Sequence, residues 1–235
     1  MPRAAPTADA RAPEVDEDLE GPLFADVAPK EATLLEAALD LFVERGFHGT
    51  TIPEIARRAG VATGSVYTYF DGKEALVNAL LARIRARLAR ALAARVARAR
   101  GTRAEHAAIW GVFAGFALAH ERAIAFVDLH HHAPYVTAET AAAWAPARAL
   151  LDAHFARGAA EGTYRDAPPA LLRAITCGAL LGVHKLSRAG ELALSRETLA
   201  RAHEAAWAAV VAPGRGRRAS EPSRSRARPA RRSKA

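Results

Sequence analysis

Between residues 50 and 73 the chain carries a run of compact hydrogen-bonding side chains: Thr50, Thr51, Thr63, Ser65 and Thr68, with Gly64 among them and Tyr67, Tyr69 and Lys73 alongside. Nothing here pairs a nucleophile with a base or separates two carboxylates, so the chemistry on offer is hydrogen bonding and not bond breaking. Ser and Thr hydroxyls bond to the edges of either base type and touch a thymine methyl, and a reader of the major groove must fit a space about 12 Å wide. Gly64 lets a backbone approach closely. Tyr67, Tyr69, Thr50, Thr51 and Lys73 suit phosphate oxygens, contacts that set register without reading sequence. For two of these a plainer role stands beside that one. Tyr69 also suits packing on Phe70, and Thr51 suits capping a helix, which is compatible with a phosphate contact.

Positioning such residues takes short helices. Thr51 followed three residues later by Glu54 is a capping box, and Pro53 is tolerated in a first turn where its missing amide has no partner. Ile52, Ile55, Ala56 and Ala59 form one apolar face, and Gly60 breaks the helix. A second short helix is predicted from about Ala62 to Phe70, burying Val66 and Phe70. Upstream, Leu34, Leu35, Ala38, Leu39, Leu41 and Phe42 follow the three-four spacing of a helix with one buried face, ended by Gly46. Downstream, Asp71 and Glu74 read as another capping box opening a long Arg-rich helix to about Arg98.

The segment TTIPEIARRAGVATGSVYTYFDGKEAL resembles the DNA-binding domain of the TetR family of bacterial regulators, and Ala38, Phe42, Gly46 and Phe47 match that family's first helix. The specificity lies in the combined spacing of Thr51, Ile55-Ala56, Ala59-Gly60-Val61, Gly64, Tyr67, Tyr69-Phe70 and Lys73. The resemblance is strong over about 30–89 and extends to the helical remainder only in length and style. It implies an all-α fold: a three-helix helix-turn-helix domain (30–89, motif 51–70), then a helical effector-binding and dimerisation domain (90–212). Ala62 departs from the family's usual Ser at the start of the recognition helix. Either Thr63 caps instead, or that helix start is weaker by about 1 kcal/mol.

Beyond Gly101 the pattern predicts helices at about 103–119, 121–132, 138–161, 168–189 and 195–211. The resemblance implies that the last two pair with their twins in a homodimer. Two recognition helices would then lie one DNA turn, about 34–36 Å, or a multiple apart on a pseudo-palindromic double-stranded operator. It further implies a repressor released by ligand, with the long helix after Asp71 as lever. The middle helices are expected to enclose the pocket for a small apolar or aromatic effector, with Trp110, Phe113, Phe126, His130, Tyr135, Trp144 and His154 as candidate lining residues. For any one of the aromatics, plain core is the alternative.

His130, His131 and His132, with Asp128 nearby, suggest a metal site. Adjacent residues on a helix point in different directions, however, and the spacing matches no zinc motif. No metal, no cofactor and no enzymatic activity are expected; the rival is a helical metal-dependent hydrolase built on this cluster.

Composition bounds the rest. Of 235 residues, 51% are hydrophobic, mostly Ala and Leu, which favours helix over strand. The net charge is +8, and residues 213–235 hold nine Lys and Arg against Glu221 alone, enough to account for all of it. Residues 1–29 hold seven acids and two bases. The first 29 residues are read as a disordered acidic arm and 213–235 as a disordered basic tail adding non-specific DNA affinity. A tail alone would make a DNA-coating protein, binding at about 10⁻⁴–10⁻⁶ M, whereas a reader gains about 4–10 kcal/mol on its own site. The single Cys177 forms no internal disulfide, there is no apolar leader at the N-terminus, and the most apolar stretch, 109–119, is too short for a bilayer. The expected location is cytoplasmic, away from the membrane.

Overall fold

The computed structural model describes residues 17–130 and 133–213. Among them the chain runs as α1 (Glu17–Glu20), α2 (Pro29–Arg45), α3 (Ile52–Arg58), α4 (Thr63–Val66), α5 (Lys73–Arg98), α6 (Thr102–Ala119), α7 (Glu121–His130), α8 (Ala138–Ala142), α9 (Ala145–Ala160), α10 (Pro169–Arg188) and α11 (Arg196–Val210). No strand occurs among the described residues, only an isolated antiparallel bridge between Tyr164 and Val211.

α2 forms because its apolar residues recur every three to four positions; it buries Leu34, Leu35, Ala38, Leu41 and Phe42. It stops at Gly46, whose φ of 69° is the left-handed region, with its N–H on the Phe42 carbonyl (3.0 Å). α5 is the spine. Leu76, Val77, Leu80, Leu81, Ile84, Leu88 and Leu92 are buried along it, and it packs on α2, α6, α7, α8 and α9. Its start differs from expectation: Gly72 is the cap residue and makes no side-chain bond, so the Asp71–Glu74 capping box is not formed.

Three further expectations are corrected. The helix predicted over 138–161 is two helices, α8 and α9, parted at Ala143 and Trp144. Pro146 sits in the first turn of α9, where its missing amide is harmless; inside a longer helix it would have broken the ladder. The helix predicted over 62–70 is α-helical only at Thr63–Val66 and continues as turn to Tyr69. The expected disordered arm fails from residue 17 onward. Leu19, Leu23 and Phe24 are buried, α1 lies on α6, the Leu19 carbonyl accepts from His120 Nε2 (2.7 Å), and Arg87 donates to the Pro22 and Gly21 carbonyls (2.6 and 2.9 Å). Three apolar side chains dock the segment, although its average composition is that of a solvated arm. Residues 1–16, His131 and His132, and the basic tail from 214 onward lie outside the described residues.

A smaller core of Phe155, Tyr164, Leu172 and Val210 closes the far end of the body. Gly158 is required there by close approach: a Cβ at this position would lie 2.4 Å from the Tyr164 ring and 2.8 Å from Thr102 Cγ2.

Candidate nucleic-acid interface and ligand cavity

α3 is fixed at both ends. The Thr51 N–H and hydroxyl both donate to Glu54 Oε2 (3.0 and 2.7 Å), and these bonds hold the Glu54 carboxyl below its usual range. Arg45 pairs with the same carboxylate (2.8 Å), tying α2 to α3. Arg58 repeats the tie to Glu44 (2.9 Å) and Asp40 (3.5 Å). The turn that follows is closed by Val61 N–H on the Ala56 carbonyl (3.0 Å), with Gly60 at φ 68°. α4 is then held by Val66 and Phe70, which bury against the head.

The cap of α4 is Ala62, with no side-chain bond, so of the two alternatives at this position the structure adopts the uncapped start. Thr63 takes the first helical position and is exposed. Gly64, Tyr67, Thr68 and Tyr69 are exposed too, Tyr67 by 57%, and Ser65 is partly so. The hydroxyls of Thr63, Ser65, Tyr67, Thr68 and Tyr69 have no intramolecular partner among the described residues. A Cβ on Gly64 would meet nothing within 4 Å, so no contact inside the chain demands glycine there. Tyr69 also leans on Phe70, ring centroids 6.4 Å apart.

One member of the expected set, Thr50, is corrected, and a second, Lys73, has most of its donors committed inside the chain. Thr50 is fully buried, and its hydroxyl donates to the Leu41 and Gly46 carbonyls (3.1 and 2.8 Å); it closes the turn after α2 and has no path to a phosphate. Lys73 Nζ donates to the Phe47 and Thr50 carbonyls (2.6 and 2.8 Å) and lies 4.2 Å from the Phe47 ring centroid. It clamps the head from within, and only its third donor remains for a phosphate.

In the body, a cavity of about 470 Å³ opens between α5, α6, α7, α9 and α10. Of the candidate lining residues, Trp110, Phe113 and Trp144 border it. The sequence pattern marks none of the others: Leu88, Ile109, Ile124, Val127, Ala141, Leu180 and Leu181 for the walls, and Arg85, Asp128, Arg148, Arg173, Thr176 and Cys177 for polarity. No pattern in the sequence marks arginines on three separate helices as neighbours. Burial pushes the Cys177 thiol up to about 11, which leaves it unreactive at neutral pH.

Phe126, His130, Tyr135 and His154, also expected in the pocket, do not line it. Phe126 is core, against Phe42 (6.0 Å between centroids) and His130 (4.5 Å). His130 Nδ1 meets the Tyr135 hydroxyl (2.7 Å), and Tyr135 stacks on Phe47 at 4.0 Å. These three residues therefore form the joint between head and body. Asn78 holds the same joint, donating to the Tyr135 carbonyl (2.9 Å) and accepting from Thr137 N–H (2.9 Å). Burial depresses the His130 pKa to about 4, and its Nε2 is buried without a partner.

His154 belongs to a buried polar chain instead. Its Nδ1 lies 2.9 Å from Glu105 Oε2; because a carboxylate only accepts, Nδ1 donates and Nε2 accepts from the Tyr164 hydroxyl (2.6 Å). Beside it, Thr176 donates to the Leu172 carbonyl (3.1 Å), so it accepts from His106 Nε2 (3.2 Å), and His106 Nδ1 accepts from His203 Nε2 (3.1 Å). Burial drives the His106 pKa down to about 3, so the ring is neutral. No group of three or more metal-ligating side chains occurs among the described residues, and Asp128 pairs with Lys185 (3.2 Å).

α10 packs on α9, α11 and α6 and buries Leu172, Thr176, Leu180 and His184, leaving the opposite face open, with Leu171 51% and Leu186 43% exposed. Cβ atoms on Gly178 and Gly182 would meet nothing. By length and composition alone this helix could cross a bilayer.

Fold and site together define a class: a helical protein with an N-terminal helix-turn-helix head carried on a helical body that contains a ligand-sized cavity. The models of known families agree. Residues 34–80 match the N-terminal domain of bacterial regulatory proteins of the tetR family, and residues 81–212 match the tetracyclin repressor-like C-terminal domain. The chain belongs to the TetR family. Among its relatives, the Escherichia coli HTH-type transcriptional regulator RutR is 47% identical over 58 residues, 25% of this chain and 27% of that protein. The HTH-type transcriptional repressor KstR2 of Rhodococcus jostii is 44% identical over 52 residues, 22% of this chain and 26% of that protein. The chain thus matches about a quarter of the length of these relatives. A TetR family transcription regulator from Marinobacter aquaeolei shares the fold at a TM-score of 0.69 with 22% identity, over 78% of this chain and 96% of that one.

Proposed function

We propose that the protein is a homodimeric transcription regulator that reads a pseudo-palindromic operator and is released from it by a small molecule held in the cavity of the body. The observation that carries this is the surface of α4. Five hydroxyls stand on α4 and the turn after it without internal partners, around a glycine that no internal contact requires, on a segment anchored by Val66 and Phe70. Thr63, Gly64, Ser65 and Thr68 touch base edges; Thr51, Tyr67 and Tyr69 touch phosphates, joined by the third donor of Lys73. The reading domain spans about 30–89 and the effector and dimer domain about 90–212. The open face of α10, with the exposed alanines 205, 208 and 209 of α11, pairs with the same face of a second copy. An exposed stripe mixing glycines with large apolar residues suits close helix packing, and burial in a dimer accounts for it better than a membrane does.

Effector occupancy shifts the relative position of the two heads, with α5 as lever; the ligand must favour one arrangement over the other for this to work. Repression fits the relative named a transcriptional repressor. The protein acts where the DNA is, in the cytoplasm, and its basic tail adds affinity without selectivity.

Selecting bound fragments from a random DNA pool tests the whole reading. A two-fold related motif with half-sites a whole number of helical turns apart is expected, together with a dimer in solution. Enrichment of no motif above background would sink it. Deleting residues 214–235 should weaken binding to all DNA and flatten its salt dependence while the selected motif stays the same.

A further inference from the structure

The charges around the cavity are not balanced. Arg173 is held by Asp152 (2.8 Å) and Asp128 by Lys185 (3.2 Å), so each has a counter-ion. Arg85 is only 7% exposed, and its one bond is to the Thr140 carbonyl (2.8 Å). Arg148 has no side-chain partner among the described residues, and it lines the same cavity. Two cations therefore face the space without a carboxylate, one of them buried. Desolvation alone pulls the Arg85 pKa downward, with no acid opposing it. A guanidinium stays charged in proteins, and Arg85 offers five N–H donors of which the Thr140 carbonyl takes one. A neutral occupant would strip the remaining water from that charge and return nothing. An oxyanion would pair with it in a bidentate, charge-assisted geometry.

Building on the reading of the cavity as the effector site, we propose that its ligand is an amphipathic anion: a carboxylate or phosphate head on Arg85 and Arg148, with an apolar body against Trp110, Phe113 and Trp144. A cavity of about 470 Å³ lies within the usual range for small organic ligands, about 300–1,000 Å³. The same contact links binding to the head. Arg85 grips the Thr140 carbonyl, and the segment that includes Thr140 also carries Tyr135, stacked on Phe47. An anion competing for Arg85 loosens that grip.

The experiment is titration calorimetry on the full-length chain with two matched series: 2-naphthoate, 2-naphthyl phosphate and 2-naphthalenemethanol, then octanoate, octyl phosphate and octanol. In at least one series an anion is expected to bind tenfold or more tightly than its alcohol, which corresponds to about 1.4 kcal/mol. The better head group distinguishes carboxylate from phosphate. Arg85→Met should erase that preference while leaving the affinity for the alcohol intact, and Arg148→Met, at an exposed position that tolerates change, should reduce it. Equal or tighter binding of the alcohols overturns the anionic assignment and leaves the cavity as effector site standing. An anion preference unchanged in both variants also overturns it, because the anion then binds elsewhere. Binding of none of the six compounds removes both the ligand class and the cavity reading.

Discussion

Around α4 the hydroxyls of Thr63, Ser65, Tyr67, Thr68 and Tyr69 have no partner inside the chain. In the body those of Thr102, Thr176 and Tyr164 are each committed, to Glu161 (2.8 Å), the Leu172 carbonyl (3.1 Å) and His154 (2.6 Å). The residue types are the same; their environments differ. A buried polar group left unpaired costs about 1–3 kcal/mol, so the body must satisfy its own. At the surface water fills the role at little cost, and the groups remain available to something that displaces the water. An unpartnered, anchored hydroxyl surface thus marks recognition, and a buried, paired network marks structure. Thr50 and Thr51 show that burial changes within two adjacent residues, one sealed under α2 and one exposed at the cap of α3, where its hydroxyl bonds Glu54.

The comparison can be tested most forcefully with acid. His106 and His130 are buried and neutral, with folded pKa values near 3 and 4 against an ordinary 6.5. Between those limits the unfolded chain binds protons that the folded chain refuses, so stability is full above pH 6.5 and falls as the pH drops below it. The two together should remove about 4 kcal/mol by pH 5, where ordinary carboxylates are still mostly ionised. Urea unfolding at pH 7.5 and pH 5 measures this. A midpoint that does not move would mean the two rings are not neutral in the folded state.

His154→Ala should come next, at about 2–3 kcal/mol, because it orphans the Tyr164 hydroxyl and takes a donor from Glu105. Thermal unfolding reads the loss, and DNA affinity per folded molecule should hold. Thr50→Val removes a buried hydroxyl whose single O–H is shared between two carbonyls and should cost about 1–3 kcal/mol of stability. A loss of operator affinity without a loss of stability in that variant would restore Thr50 to the DNA surface.

The smallest effect on folding should come from the head. Ser65→Ala and Thr68→Ala are expected to leave stability within about 0.5 kcal/mol of the parent, as surface substitutions do. Each should nevertheless cost about 1–3 kcal/mol of discrimination on the selected operator, read by competition binding. If either variant unfolds early instead, the two regions are not as different as their hydrogen bonds indicate.

The local elements were legible because each is written in a few adjacent residues. Gly46, the Thr51–Glu54 pair and the Gly60 turn delimit α2 and α3, and the three-four spacing of α2 carries its buried face. The exposed hydroxyl run was legible for the same reason, since α4 and the turn that follows it, residues 63–69, hold nearly all of it. Pocket membership was not. Phe126, His130 and Tyr135 are aromatic and central in sequence, yet they pack at the joint with the head, and His154 turns toward Glu105 and Tyr164. Aromatic type says that a side chain is buried, and it says nothing of which space it faces.

What the sequence determined alone, then, is the set of short-range features: helix periods, caps, breaks and the spacing of the head motif, all governed by contacts within about four residues. Tertiary packing decided the rest. Only the meeting of α5, α9 and α10 brings Arg85, Arg148 and Arg173 to one cavity, only docking on α6 orders α1, and only burial under α2 turns Thr50 from a candidate contact into part of a turn. Those outcomes depend on residues tens of positions apart competing for the same space, and no local pattern records the result.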